Sequence, residues 1–187
     1  MKVQSILAAV LLLLAANSYS ENFYAELSVG KAQQKTSLQS LGGIKGRDIS
    51  MGLQFGYKFM PYLAVEAGYN DYGKVSKQES FADTDISNKA FNIGLKTIAP
   101  LGKGFDFYLR GGLAWWDYQV DLLGPTLNTR YSNKDKDFYY GAGVTAKLKD
   151  FFYVGFEYVV LKQDFRQGGE KVNNKMSNMA LTFGWYF

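Results

Sequence analysis

From Phe23 onward, apolar side chains recur at every second position, in segments of about ten residues. This period is typical of β-strands whose two faces meet different surroundings, whereas an amphipathic helix repeats every three to four residues. The pattern predicts eight strands. They cover residues 22–32, 46–58, 62–72, 88–99, 105–117, 136–148, 152–163 and 176–187.

The two faces of these strands differ in chemistry. One face is apolar and uncharged; its first strand carries Phe23, Ala25, Leu27 and Val29, and its seventh carries Phe152, Val154, Phe156, Tyr158 and Val160. The opposite face is polar or small, and it includes Glu26, Gln54, Glu66, Asn92, Lys96, Arg110, Thr145, Glu157 and Thr182 among many glycines. Alternation alone fits a soluble barrel as well as a membrane barrel, so other features must decide.

The lengths of the connections favour the membrane barrel. They alternate between long segments, at 33–45, 73–87, 118–135 and 164–175, and short ones near Met60-Pro61, Leu101 to Gly104 and Lys149-Asp150. Outer-membrane barrels have short periplasmic turns and long extracellular loops. The glycines of the polar face also fit a narrow lumen, where they make room for large side chains, better than a strand face turned to water.

Aromatic residues collect near the strand ends, as two interfacial girdles require. The girdle positions that we predict include Tyr57 and Phe59, Tyr69 and Tyr72, Trp115 and Trp116, and Trp185 to Phe187. Because no strand edge can stay unpaired in hydrocarbon, the strands must close into a ring. We therefore expect an all-β fold, an eight-stranded antiparallel up-and-down transmembrane β-barrel with an interior filled by side chains.

The first twenty residues differ from the rest. Lys2, an apolar stretch from Ile6 to Ala16, and the small residues Ser18 and Ser20 indicate a cleaved secretory signal peptide over residues 1–20. An apolar stretch of that length is about half of what a membrane-spanning helix needs. We expect residues 21–187 to form the barrel domain and to reach the bacterial outer membrane.

Composition narrows the chemistry. The chain has no histidine, which excludes His-dependent catalytic triads and removes the commonest metal ligand. It has no cysteine, so no disulfide holds the fold. We predict no catalytic, cofactor-binding or metal site. We also predict no nucleic-acid binding, because no basic stripe lies beside stacking aromatics.

Four segments carry a family resemblance: GYKFMPYLAVEAGYNDYG at 56–73, GLKTIAPLGKGFDFYLRGGLAWWDY at 94–118, GAGVTAKLKDFFYVGFEY at 141–158 and MALTFGWYF at 179–187. Together they resemble the transmembrane domain of the OmpA-like outer-membrane proteins, without the peptidoglycan-binding domain of the full-length archetype. The resemblance implies an ion-pair network in the barrel interior, formed here by Glu66, Lys96, Arg110 and Glu157. The chain departs from the family pattern at Thr145 and Gly155, where the family has an acid and an arginine.

Two kinds of partner follow. Outer-membrane barrels generally end on an aromatic residue that the barrel-assembly machinery reads, and the corresponding signal here is Leu181, Phe183, Trp185 and Phe187.

Outer-membrane lipid and lipopolysaccharide are the expected surroundings, and we expect lipopolysaccharide phosphates to contact basic residues of the outer half. Those residues are Lys31, Lys35, Lys45, Arg47, Lys74, Lys77, Lys89, Arg130, Lys134, Lys136, Lys162, Arg166, Lys171 and Lys175.

Three functions remain open from the sequence. The first is a structural and surface-interaction role in the cell envelope, without catalysis. The second is a narrow porin-like pore for small solutes or ions, in which the interior charges act on conduction. The third is an adhesin that binds its target through the loops.

Overall fold

The computed structural model describes residues 22–38, 42–79, 82–123, 128–167 and 170–187. The predicted signal peptide, residues 1–20, lies outside these ranges and stays a prediction. The eight strands are β1 (Phe23–Leu38), β2 (Gly42–Met60), β3 (Leu63–Glu79), β4 (Ala82–Gly102), β5 (Phe105–Leu123), β6 (Asn128–Lys149), β7 (Phe152–Gln167) and β8 (Glu170–Tyr186). Among the described residues, no helix is long and apolar enough to cross a bilayer.

The strands close into a ring. Each strand pairs antiparallel with the next in the chain, and β8 pairs back to β1 with Leu181 opposite Val29 and Trp185 opposite Ala25. Closure leaves no free sheet edge along the wall, so the backbone donors and acceptors of every strand have a neighbour. The predicted eight-stranded antiparallel up-and-down β-barrel is confirmed.

Tight turns join the strands at one end of the barrel. Two residues separate β2 from β3, β4 from β5, and β6 from β7. In the second turn, Lys103 and Gly104 have φ angles of 54° and 81°, as a type I′ hairpin turn requires at both central positions. The three short connections were predicted from the sequence, and the structure confirms them. We call this end of the barrel the turn end and the opposite end the loop end.

At the loop end the strands run further than the sequence predicted. The segments 33–45, 73–87, 118–135 and 164–175 were expected to be loops, yet β1 continues to Leu38, β2 begins at Gly42, and the other hairpins extend likewise. The residues that connect the two strands of each hairpin, 39–41, 80–81, 124–127 and 168–169, lie outside the described ranges. Backbone hydrogen bonds can extend the ladder without any apolar period, so hydropathy does not reveal these extensions.

The apolar face lies on the outside of the ring. Leu27, Leu95, Leu109 and Leu181 are 44%, 50%, 51% and 57% exposed, and large apolar side chains on all eight strands share this exposure. Ala25 and Val160 are exceptions, since both are buried; in the register Ala25 lies between Phe55 and Trp185. A continuous apolar belt of this extent requires an apolar solvent around the barrel.

The interior has two levels. Charged and tyrosine side chains fill the part towards the turn end, while an apolar cluster fills the part towards the loop end. The cluster consists of Ala32, Tyr72, Ala90, Ala114, Trp116, Tyr118, Tyr139, Leu161 and Met176. Our assignment of Trp116 and Tyr72 to an outer girdle was wrong, because both are buried inside. Trp116 follows the outward Trp115, and neighbouring residues of a strand point to opposite faces.

Candidate functional site: the barrel interior

The four charged residues predicted for the interior come together in the structure. Glu66 lies on β3, Lys96 on β4, Arg110 on β5 and Glu157 on β7, and Lys96 stands directly opposite Arg110 in the β4–β5 register. A fifth residue, Glu26 of β1, joins them. We call these five residues the interior ion cluster.

Arg110 is the centre of the interior ion cluster. Its Nη2 lies 2.6 Å from Glu26 Oε1 and 3.5 Å from Glu66 Oε1, and its Nη1 lies 3.2 Å from Glu157 Oε2. Lys96 Nζ lies 3.1 Å from Glu26 Oε2 and 3.5 Å from Glu66 Oε1. All five side chains are at most 5% exposed. Charges this deep need partners, and the cluster supplies most of them; among the described residues, Glu66 Oε2 and Arg110 Nε have no hydrogen-bond partner.

Each carboxylate also accepts a hydrogen bond from a tyrosine. The hydroxyl of Tyr24 donates to Glu66 Oε1 over 2.6 Å. The hydroxyl of Tyr153 donates to Glu26 Oε2 over 2.9 Å, and that of Tyr108 to Glu157 Oε2 over 3.3 Å. The Tyr108 ring also faces the ammonium of Lys96, with Nζ 4.2 Å from the ring centroid, a cation–π contact.

Glycines on neighbouring strands make room for these three rings. A Cβ atom at Gly56 would overlap the ring of Tyr24, one at Gly143 the ring of Tyr108, and one at Gly184 the ring of Tyr153. The rings therefore lie flat over bare backbone. The glycines of the polar face act through space, not through unusual backbone angles.

Sequence reasoning missed Glu26 as a member of the cluster. It stood on the polar face of the first predicted strand, but the two cations that it contacts lie 70 and 84 residues further along the chain. Only the barrel register brings such distant positions together. With Glu26 the cluster holds three carboxylates and two cations, rather than the balanced two and two that the sequence suggested.

Neutral polar side chains lie on the loop-end side of the interior ion cluster. Asn92 accepts hydrogen bonds from the amide groups of Gln54 and Asn70. Nearer the loop end, the amide of Asn88 donates to Gln163 Oε1 over 2.9 Å, and the amide of Asn174 donates to the same oxygen over 2.7 Å. These amides are satisfied mostly by one another, so they close the lumen without further charge.

The departure from the family pattern has a structural counterpart. Thr145 and Gly155 face each other across β6 and β7, and Gly155 faces Thr182 on β8. A Cβ atom at Gly155 would touch the side chains of both threonines. Where the family has an acid and an arginine, this chain therefore packs small side chains closely.

The cavity beside the interior ion cluster, within the part of the chain that the structure describes, is small. At the turn end of the cluster, this cavity of about 10 Å³ is lined by Tyr24, Lys96, Asp106, Tyr108, Tyr153 and Tyr186, among others. A volume of that size is about the space that a single water molecule needs. Among the described residues, no group of three or more acidic, histidine or cysteine side chains is placed to hold a metal ion.

The family described as the OmpA-like transmembrane domain matches residues 18–184. The chain is 26% identical over 151 residues to outer membrane protein P5 of Haemophilus influenzae, with 75% of this chain covered. It spans 41% of the length of that relative.

Solved structures share the fold. Neisserial surface protein A has a TM-score of 0.65 at 21% identity, with 90% of this chain and 98% of that chain covered. OprG of Pseudomonas aeruginosa has a TM-score of 0.59 at 14% identity, with 89% and 96% covered. Ail, the attachment invasion locus protein of Yersinia pestis, has a TM-score of 0.50 at 16% identity, with 87% and 99% covered.

The family match covers most of the chain, and it agrees with the outward apolar belt and the closed ring of strands. The predicted family and the predicted location are both confirmed. The chain belongs to the OmpA-like transmembrane domain family and is a β-barrel protein of the bacterial outer membrane.

Proposed function

We propose that this protein is a closed structural barrel, which reinforces the outer membrane and carries its four hairpins to the cell surface, without catalysis. The observation that supports this proposal is the interior ion cluster, whose five charged side chains are at most 5% exposed. Such a cluster closes the lumen near the turn end.

Passage of an ion would have to disrupt this cluster. Arg110 holds three carboxylates at 2.6–3.5 Å, and removing one partner of a buried ion pair costs about 3–5 kcal/mol. The apolar cluster around Trp116 and Met176 stands as a second obstacle towards the loop end. Two obstacles of different chemistry favour a wall component over a pore.

The same geometry supports the absence of catalysis. The carboxylates of the cluster face cations and tyrosine hydroxyls inside a filled lumen, where no substrate has room. General acid–base work needs a carboxyl group within reach of a substrate proton. A nucleophile would also need an adjacent base and a group that orients that base.

Planar-bilayer recording tests the closed lumen. We expect the refolded protein to insert without steady conductance, because the ion cluster and the apolar cluster both fill the cross-section. The measurement is the current at fixed voltage in symmetric potassium chloride. Steady conductance that changes in Lys96→Ala or Glu66→Ala, but not in the outward control Lys162→Ala, would establish a pore and contradict the proposal.

We also propose that the closing strand β8 carries the signal read by the barrel-assembly machinery. Leu181 and Phe183 are 57% and 40% exposed on the outward face, and Trp185 and Phe187 continue the same alternation. The ring of Phe187 stacks on the ring of Phe23, with 6.4 Å between the ring centroids. Phe187 therefore also lies where β8 meets β1. An apolar row on the strand that closes the ring fits a recognition element for assembly.

Substitution of Phe187 separates recognition from anchoring. We expect Phe187→Ser to leave most of the protein unassembled in cells, yet to fold as well as the wild type in detergent, where no machinery takes part. Heat-dependent electrophoretic mobility of outer-membrane fractions measures the assembled share. Phe105→Ser, which removes an exposed ring of β5 at the same end, is the matched control. Equal assembly of the two variants in cells would show that Phe187 is only an anchor.

A further inference from the structure

We propose that the outer surface formed by β7, β8, β1 and β2 at the loop end binds the phosphate groups of lipopolysaccharide. Five exposed basic side chains define this surface, which we call the basic wall: Lys31, Lys35, Arg47, Lys162 and Lys175. The proposal depends on the outer-membrane location, and it holds whether or not the lumen conducts.

Three lysines of the basic wall are direct cross-strand neighbours. Lys162 of β7 faces Lys175 of β8, and Lys175 faces Lys35 of β1. Their neighbours along each strand, such as Leu161, Met176 and Gln34, are buried inside the barrel. The lysines therefore lie on the outward face, in one row that crosses three strands.

This row is electrostatically unfavourable by itself. Directly opposite residues of antiparallel strands have Cβ atoms about 4.5–5.5 Å apart, and like charges at that spacing destabilise a sheet. None of the ion pairs among the described residues involves a member of the basic wall. The described part of the protein thus places positive charges side by side without neutralising them, and an external anion would relieve the repulsion.

The opposite wall shows a different solution. There the row Asp71, Lys89, Asp117 and Lys134 crosses β3 to β6 with acids and bases in alternation. Lys89 lies 3.6 Å from Asp71, and Lys134 lies 3.0 Å from Asp117. This row, which we call the paired wall, is neutral within the protein. The contrast indicates that the charge of the basic wall is directed at a partner.

The position of the basic wall identifies the partner's chemistry. The outward row next to the three lysines contains Arg47, Gln33, Ser177 and Val160, and the row after it, towards the turn end, contains the exposed side chains of Tyr158, Met179 and Ile49 beside Lys31. Apolar residues that face acyl chains therefore begin two outward rows below the lysine row. Because long hairpins are extracellular in such barrels, the lysines stand at the headgroup level of the outer leaflet. The anions at that depth are the phosphates of lipopolysaccharide, and ammonium and guanidinium groups bind phosphate strongly.

Lipid A binding tests the proposal. The refolded protein in zwitterionic detergent is titrated with bis-phosphorylated lipid A, and bound lipid is counted by native mass spectrometry. We expect Lys35→Gln/Lys175→Gln to weaken binding by about tenfold or more, since each lysine adds attraction to an anionic surface. The matched control is Lys89→Gln/Lys134→Gln on the paired wall, which removes the same charge and should change binding by less than about twofold.

Further measurements decide the remaining outcomes. Dephosphorylated lipid A should bind the wild type no better than it binds the double variant. Without lipid A, the basic-wall variant should unfold at a higher urea concentration than the wild type, because the repulsion is gone. If the variant does not fold, Lys162→Gln alone should still weaken binding. Equal losses in both double variants, no loss in either, or equal binding of dephosphorylated lipid A would each overturn the proposal.

Discussion

Replacing Glu26 with alanine is expected to lower the free energy of unfolding by about 3–5 kcal/mol, the range for a buried ion pair that loses one partner. Glu26 is fully buried, and its contacts with Lys96 and Arg110, at 3.1 Å and 2.6 Å, are shorter than those of Glu66 with the same two cations, both at 3.5 Å. Without it, the hydroxyl of Tyr153 also loses its acceptor. The measurement is urea unfolding in phospholipid vesicles, followed by tryptophan fluorescence.

Two further variants show whether the loss comes from the contacts of Glu26. Glu26→Gln keeps the shape of the side chain, and we expect it to recover part of the loss, because its amide oxygen can still accept a hydrogen bond from Tyr153 or Arg110. Asp106→Ala is the matched control at the turn end, because Asp106 is largely buried like Glu26 but its partner, the Lys147 ammonium at 3.7 Å, is 47% exposed. Exposed pairs contribute about 0–1 kcal/mol. A Glu26→Ala loss as small as that of Asp106→Ala would contradict a cooperative cluster.

The wall of the barrel was predictable from the sequence because it follows a local rule. Side chains alternate between the two faces of a strand, so Leu27 and Phe156 were assigned to the apolar face without knowing the register. The tight turns were predictable as well, since Gly102 to Gly104 interrupt the alternation where positive φ angles are required.

The interior was only partly predictable, because its contacts join distant strands. The pattern identified Glu66, Lys96, Arg110 and Glu157 as inward residues, but it could not rank Glu26 above Gln54, since both occupy inward positions. Nor did the pattern identify the apolar cluster, because we assigned Trp116 to a girdle from its position near a strand end. Which inward side chains meet is determined by the stagger of the closed ring.

Charge along the outer surface illustrates the same limit. Five lysines look alike in the sequence, and all were grouped with the basic residues of the outer half. They are Lys35, Lys89, Lys134, Lys162 and Lys175. Register separates them: Lys89 and Lys134 are opposite aspartates, whereas Lys35, Lys162 and Lys175 are opposite one another. Cross-strand neighbours are the unit of electrostatics on a sheet, so composition alone does not locate a binding surface.

Gly184→Ala is expected to destabilise the barrel by about 1–3 kcal/mol, the usual cost of inserting a methyl group into a packed interior. The new Cβ atom would overlap the ring of Tyr153, which is buried and packs against Tyr186 with 5.2 Å between the ring centroids. A displaced ring could not keep the 2.9 Å hydrogen bond to Glu26. The substitution would thus reach the interior ion cluster through one tyrosine, and urea unfolding in vesicles measures the loss.

The control for this experiment is another strand glycine that has space beside it. At Gly111 a Cβ atom would meet its nearest neighbour, the backbone oxygen of Tyr139, at 3.4 Å, an ordinary contact. Gly111→Ala should therefore be neutral, or stabilising by about 0.5–1 kcal/mol, because alanine loses less backbone freedom on folding. In a Tyr153→Leu background, Gly184→Ala should cost much less than in the wild type, since the ring that it meets is absent. Equal costs in both backgrounds would show that the glycine serves the backbone of β8 and not the tyrosine above it.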